Sequence, residues 1–131
     1  MNTATLAATT AHAATILPAI GAAFEGGVFA GITLHEDRLH ALVLLPGDVS
    51  KYWRDAMTFA EEQDATLPPR IDMLVLYKNL PKEFKRDWYW TSEVRPGFAV
   101  YAFVQAFAYG NQFYGHEGSD GRARAVRRVA L

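Results

Sequence analysis

Residues 98–109 read FAVYAFVQAFAY, a stretch without a charge, a glycine or a proline. Alternation puts Tyr101, Phe103, Gln105, Phe107 and Tyr109 on one face and Ala102, Val104, Ala106 and Ala108 on the other. That is the period of a β-strand with matter against both faces. The small face is expected under a helix, and Phe103 and Phe107 in a core. Such a strand demands partners, so the fold has to supply a sheet on either side of it.

The partners are written nearby. WYWTSEV, QFYGHE and RARAVRRVAL all read as strands, and RPG, GN and SDG between them carry turn chemistry. Upstream, Val28–Leu34 and Leu39–Leu45 flank the polar HEDR and form a hairpin. Between these strand regions the period changes. Trp53, Ala56, Met57 and Ala60 fall at i, i+3, i+4 and i+7, which predicts an amphipathic helix with Ser50 as its N-cap. LPPRIDMLVLYKNLP predicts a second helix, with Asp72 in the first turn and Pro81 at the exit. Helices together and late strands together indicate α+β: two helices packed on a curved antiparallel sheet. The final strand is placed to return beside the first ones.

The chain of 131 residues has the size of one domain with its own core. A net charge of -1 gives no global field toward nucleic acid or an anionic membrane. With no cysteine there are no disulfides, thiolate metal sites or cysteine nucleophiles. Residues 1–23, rich in Ala and Thr, lack the basic start of a signal peptide and any run of transmembrane length. They are expected to form an arm able to support a homo-oligomer, with the domain proper at 24–131. Neither nucleic-acid binding nor membrane insertion is expected.

Ten aromatic residues crowd into 86–118, mixed with Gly, Asn, Gln and His. Tyr, Ser, Gly and Asn together are the composition of binding loops, where aromatic rings give rigid contact area and amides give adaptable hydrogen bonds. Residues 109–121 are therefore the expected ligand-facing segment. Tyr109, Tyr114, Trp88 and Tyr89 would supply stacking area, and Asn111, Gln112 and His116 directional hydrogen bonds. Arg122 or Arg124 would meet an anionic group, although the run of arginines at 122–128 also reads as strand-edge ion pairs. Trp90 belongs to the core. His35 and His40 flank the HEDR turn and can approach each other, but four histidines without ligand spacing give no metal site. His116, Glu117 and Asp120 lack a nucleophile or an oxyanion element beside them, so an enzyme is not expected.

Six segments in order, GGVFAG, YWRDAMTFA, LPPRIDMLVLYKNL, YWTSE, FAYGNQFYG and RARAVRRV, resemble the Lcl C-terminal-type domains of bacteria and tailed phages. The resemblance spans about residues 24–131 and implies a C-type-lectin-like fold that meets ligands on its late strands and loops. The tripeptides that hold calcium in sugar-binding C-type lectins are absent, and no cofactor is expected. The family implies a non-enzymatic phage or prophage domain that recognises a protein or a glycan. Alternatives are a virion tail or fibre component, or an accessory protein that blocks a host or defence protein. The corresponding locations are the virion or the cytoplasm of an infected host.

Overall fold

The computed structural model describes residues 16–131, so residues 1–15 of the expected arm, and the oligomerisation assigned to it, lie outside the described residues. The chain joins the fold at Gly21, whose N–H donates to the Phe29 carbonyl (2.8 Å). Among the described residues nine strands, β1 (Ala23–Phe24), β2 (Gly27–His35), β3 (Arg38–Leu44), β4 (Val49–Lys51), β5 (Trp88–Arg95), β6 (Phe98–Ala106), β7 (Gln112–His116), β8 (Gly121–Ala123) and β9 (Val126–Ala130), are interrupted by α1 (Trp53–Glu61) and α2 (Arg70–Asn79). A short 3₁₀ turn, Pro81–Glu83, follows α2. The α+β expectation holds.

The strands form two curled sheets, ordered β1-β2-β3-β9 and β4-β8-β5-β6-β7. The sequence predicts one. The division falls inside RARAVRRVAL, which reads as a single strand but is broken at Arg124 and Ala125 into β8 of one sheet and β9 of the other. Both residues at the break are buried, and the Arg124 guanidinium donates to the Leu45 carbonyl (3.0 Å) and the Glu83 carbonyl (2.6 Å). A side chain that must satisfy two buried carbonyls fixes the crossing point. All pairings are antiparallel except the one-residue parallel contact Tyr89↔Arg122. The last strand does return to the early ones, β9 pairing with β3 from His40↔Ala130 to Leu44↔Val126.

Residues 41–45, ALVLL, are buried throughout. This run has no polar alternation because β3 is covered on both faces. Val43 points to one cluster with Trp53, Ala56 and Ala60 of α1, together with Trp90, Ala102 and Val104. Leu42 and Leu44 point to the other, with Met73 and Leu76 of α2, Tyr89 and Phe107. The small face of β6 therefore does lie in the α1 cluster, as its alternation predicts. The hairpin forms as expected, with Glu36 and Asp37 both at positive φ (51° and 61°), the conformation of a type I′ turn. His35 and His40 meet across it with ring centroids 5.8 Å apart.

Helix α1 departs from expectation at its start. Ser50 sits in β4 and the N-cap position is Tyr52, which makes no side-chain cap. Three residues of strand are needed there because β4 pairs β8 from Val49↔Ala123 to Lys51↔Gly121. Pro81 does close α2, and Asp72 lies in its first turn, buried against Arg128 (3.3 Å).

Candidate functional site

Strand β6 ends at Ala106, three residues before the sequence pattern does, and the chain then turns through 107–111. Two residues explain the turn. Phe107 is drawn into the core, stacked on Phe84 at 4.1 Å and edge-on to Tyr89 at 5.2 Å. Gly110 has φ +84°, and a Cβ there would come within 2.7 Å of the Tyr77 hydroxyl oxygen, so the loop presses directly on α2. The Ala106 N–H to Asn111 carbonyl bond (2.9 Å) and the Gly110 N–H to Ala106 carbonyl bond (2.9 Å) close it. Between these fixed points Tyr109 is thrown outward, 87% exposed. A large aromatic held on a pinned loop with almost no cover is unusual for a core former and ordinary for a contact residue.

Beside Tyr109 runs a groove of about 350 Å³, floored by Trp88, Phe113, Ala106 and Ala108 and rimmed by Arg86, Asp87 and Asn111. Its walls are tied together by the Phe107 N–H to Asp87 carbonyl bond (2.9 Å) and by Arg86, whose guanidinium donates to the Ala108 carbonyl (3.3 Å). The Trp88 ring is locked from behind. It meets Trp90 edge-on at 5.2 Å and Phe113 at 6.2 Å. Gly121 and Gly115 let neighbouring backbone come flush against it: a Cβ at Gly121 would lie 2.5 Å from the Trp88 ring, and one at Gly115 3.4 Å. The glycines of this region thus serve aromatic packing rather than loop mobility.

Of the sequence-nominated residues, Trp88, Tyr109 and Asn111 converge on this groove. Gln112, Tyr114 and His116 lie on the opposite face of β7, beside Gln105, Phe103 and Tyr101 of β6. There Gln112 accepts from Arg70 Nε (2.8 Å) and donates to Gln105 Oε1 (3.0 Å) and to the Arg70 carbonyl (2.9 Å), which makes it a structural clasp. Tyr114 is exposed and carries the Arg95 guanidinium over its ring at 4.1 Å. His116 stands edge-on to Tyr101 at 5.4 Å, and its Nδ1 accepts from the Gly118 N–H (3.0 Å). Phe103, expected in the core, is only half-buried, because Arg70 covers it at 3.8 Å in place of an apolar neighbour.

Tyr89, Arg122 and Arg124 do not line this groove, and their side chains are engaged within the fold. Tyr89 alternates inward from Trp88, is fully buried, and donates to Asp48 Oδ2 (2.5 Å) while accepting from the Lys85 N–H (2.9 Å). Burial and the Asp48 hydrogen bond push its hydroxyl well above the ordinary tyrosine pKa. Arg122 lies between Asp48 (3.4 Å) and Asp87 (3.6 Å), and Arg124 is the buried staple of the sheet crossing. In the arginine run Arg122 and Arg128 are thus in ion pairs and Arg124 holds two carbonyls, with Arg122 in an interior strand and Arg124 at the sheet crossing rather than at a strand edge.

Sequence reasoning missed Phe113, Arg86 and Asp87. Alternation along QFYGH separates Phe113 from Tyr114, and the glycine at 115 on the Phe113 side was the signal that a large ring lay beneath that face. Among the described residues no three or more His, Asp or Glu side chains gather as a metal site, and no helix is long and apolar enough to cross a membrane. No protein-family model matches the chain, and no curated protein matches it.

Proposed function

We propose that the chain is a non-enzymatic binding module with a C-type-lectin-like fold of the Lcl C-terminal type, and that it holds a protein or glycan ligand in the Trp88 groove. The observation that carries this reading is the convergence of Trp88, Tyr109 and Asn111 on one concave, aromatic-floored site with a polar rim. Apolar area with a few placed polar groups is the usual composition of a ligand site. The Trp88 face offers a platform for a sugar ring or a planar side chain, Tyr109 stands beside it as a second contact, and Asn111, Asp87 and Arg86 fix orientation. Two helices flanking curled antiparallel strands support the lectin-like assignment at the level of architecture.

Tryptophan emission tests the proposal, since Trp53 and Trp90 are buried and Trp88 lines the groove. Titration with a panel of neutral oligosaccharides and short aromatic peptides is expected to change emission for at least one ligand class. The response disappears in Trp88→Phe, and Tyr109→Ala weakens binding roughly tenfold, the loss of one aromatic anchor. Binding that both variants leave unchanged refutes the groove.

A further inference from the structure

We infer that the free edge of β7 takes an extended peptide with carboxylate side chains two residues apart, added to the sheet as one more strand. The inference rests on the reading that the late strands form a binding face, and it names the ligand as an acidic peptide. Among the described residues strand β7 is the last of its sheet, with only β6 beside it. The bonds Ala106 N–H to Asn111 carbonyl and Glu117 N–H to Val100 carbonyl set the phase of the β6–β7 ladder. By antiparallel alternation the backbone groups of Phe113 and Gly115 turn toward β6, and those of Gln112 and Tyr114 turn outward. Outward N–H and C=O groups on an uncovered edge are a template for a further strand.

The charge on this edge selects the occupant. The Arg95 guanidinium is sandwiched between Phe98 (4.3 Å) and Tyr114 (4.1 Å), and that of Arg70 lies over Phe103 (3.8 Å). Neither takes part in an ion pair among the described residues. The Glu93 carboxylate accepts from the Arg70 backbone N–H at the start of α2 rather than from a guanidinium. Stacking fixes each planar fork; Arg70 Nε is taken by Gln112, which leaves the Arg70 Nη groups and the whole Arg95 fork without an acceptor among the described residues and preorganised for a carboxylate. Arg70 bonds to Gln112 and Arg95 stacks on Tyr114, two residues further along the same face of β7. Carboxylates at alternate positions of an incoming strand match that spacing. A nucleic-acid single strand fits less well, because the Arg70 guanidinium, with Tyr114 edge-on beside it, already covers the Phe103 ring that a base would need. A second copy of β7 fits less well too, since QFYGH has no carboxylate to offer.

The probe is a fluorescein-labelled nonapeptide alternating glutamate with valine, followed by anisotropy. Saturable binding is expected, weakened roughly tenfold or more by Arg95→Gln, with the melting temperature of that variant unchanged. N-methylation of the peptide amides on the pairing side is expected to abolish binding. The inference is overturned by equal binding of the glutamine peptide or of the N-methylated peptide, or by preferred binding of an oligothymidylate of the same length. Self-association through β7 that Arg95→Gln leaves intact also overturns it, as does absence of saturation up to about 1 mM peptide. Peptide binding lost in Trp88→Phe but indifferent to Arg95→Gln and N-methylation overturns this inference and leaves the groove standing. The reverse pattern sustains the edge and leaves the groove to its own titration.

Discussion

At the scale of single residues, the polar side chains that look available in the sequence are mostly spent on folding. Asp72 sits on the inward side of α2 with Arg128 as its one ion-pair partner among the described residues. Burial raises its pKa above the ordinary 3.8, against the lowering pull of Arg128 and, less strongly, of His35 and His40. The folded chain therefore holds that proton more tightly than the unfolded chain does. Linkage then gives the sign: the Asp72 contribution to stability falls as pH rises from 3.8 through the raised folded value, and is fullest below 3.8. Denaturant unfolding of the wild type and of Asp72→Asn at several pH values checks this. The stability difference, wild type minus variant, is expected to be larger at the acidic end than at neutral pH. A difference that shrinks on acidification would mean the ion pair with Arg128 outweighs burial. Asp72 was legible in the sequence as a first-turn acid; its partner, 56 residues away, was not.

At the scale of elements, what decides is which face of a strand meets what. Alternation correctly separated the small and aromatic sides of β6, and Trp90 falls in the core as its place in WYWTSEV predicts. Alternation also contained the position of Tyr89, one residue from Trp88 and hence on the other face, yet composition alone grouped the two together. The break between β8 and β9 could not be read locally, because it depends on the Leu45 and Glu83 carbonyls far away in the chain. Gly121 tests how tightly β8 is set against the tryptophans. A Cβ there would meet the Trp88 ring at 2.5 Å and Trp90 Nε1 at 2.6 Å, whereas one at Gly97, at φ +80°, meets nothing within 4 Å. Gly121→Ala is expected to cost about 1–3 kcal/mol by overpacking and to displace Trp88. Gly97→Ala is expected to cost about 1–2 kcal/mol, from backbone strain alone, and to leave Trp88 in place. Tryptophan emission of the folded variants separates them, and emission unchanged in Gly121→Ala would contradict the tight seating of Trp88.

At the scale of the whole molecule, the class of fold was legible and its layering was not. Two strands, two helices and a run of strands dictate α+β, but only the burial of ALVLL on both faces shows that β3 divides two cores. A continuous apolar run of five residues reads equally as a half-buried strand with a poor pattern. The site followed the same rule. Tyr109 and Asn111, which local composition marks as contact formers, line the groove, while the place of Phe113, Arg86 and Asp87 in it depends on pairings between distant segments. The central claim is that Trp88 is the floor of a ligand site. Indole N–H resonances in proton–nitrogen correlation spectra test it most directly, because the Trp53 and Trp90 indoles are tied to the Thr91 and Lys51 carbonyls at 2.9 Å. During titration with cellobiose and, separately, with a short tyrosine-containing peptide, one ligand is predicted to shift the Trp88 indole together with the Asn111 and Phe113 amides, leaving the other two indoles in place. Shifts centred on the hairpin tip at Glu36 and Asp37, or a Trp88 resonance unmoved by either ligand at saturation of the others, would contradict it.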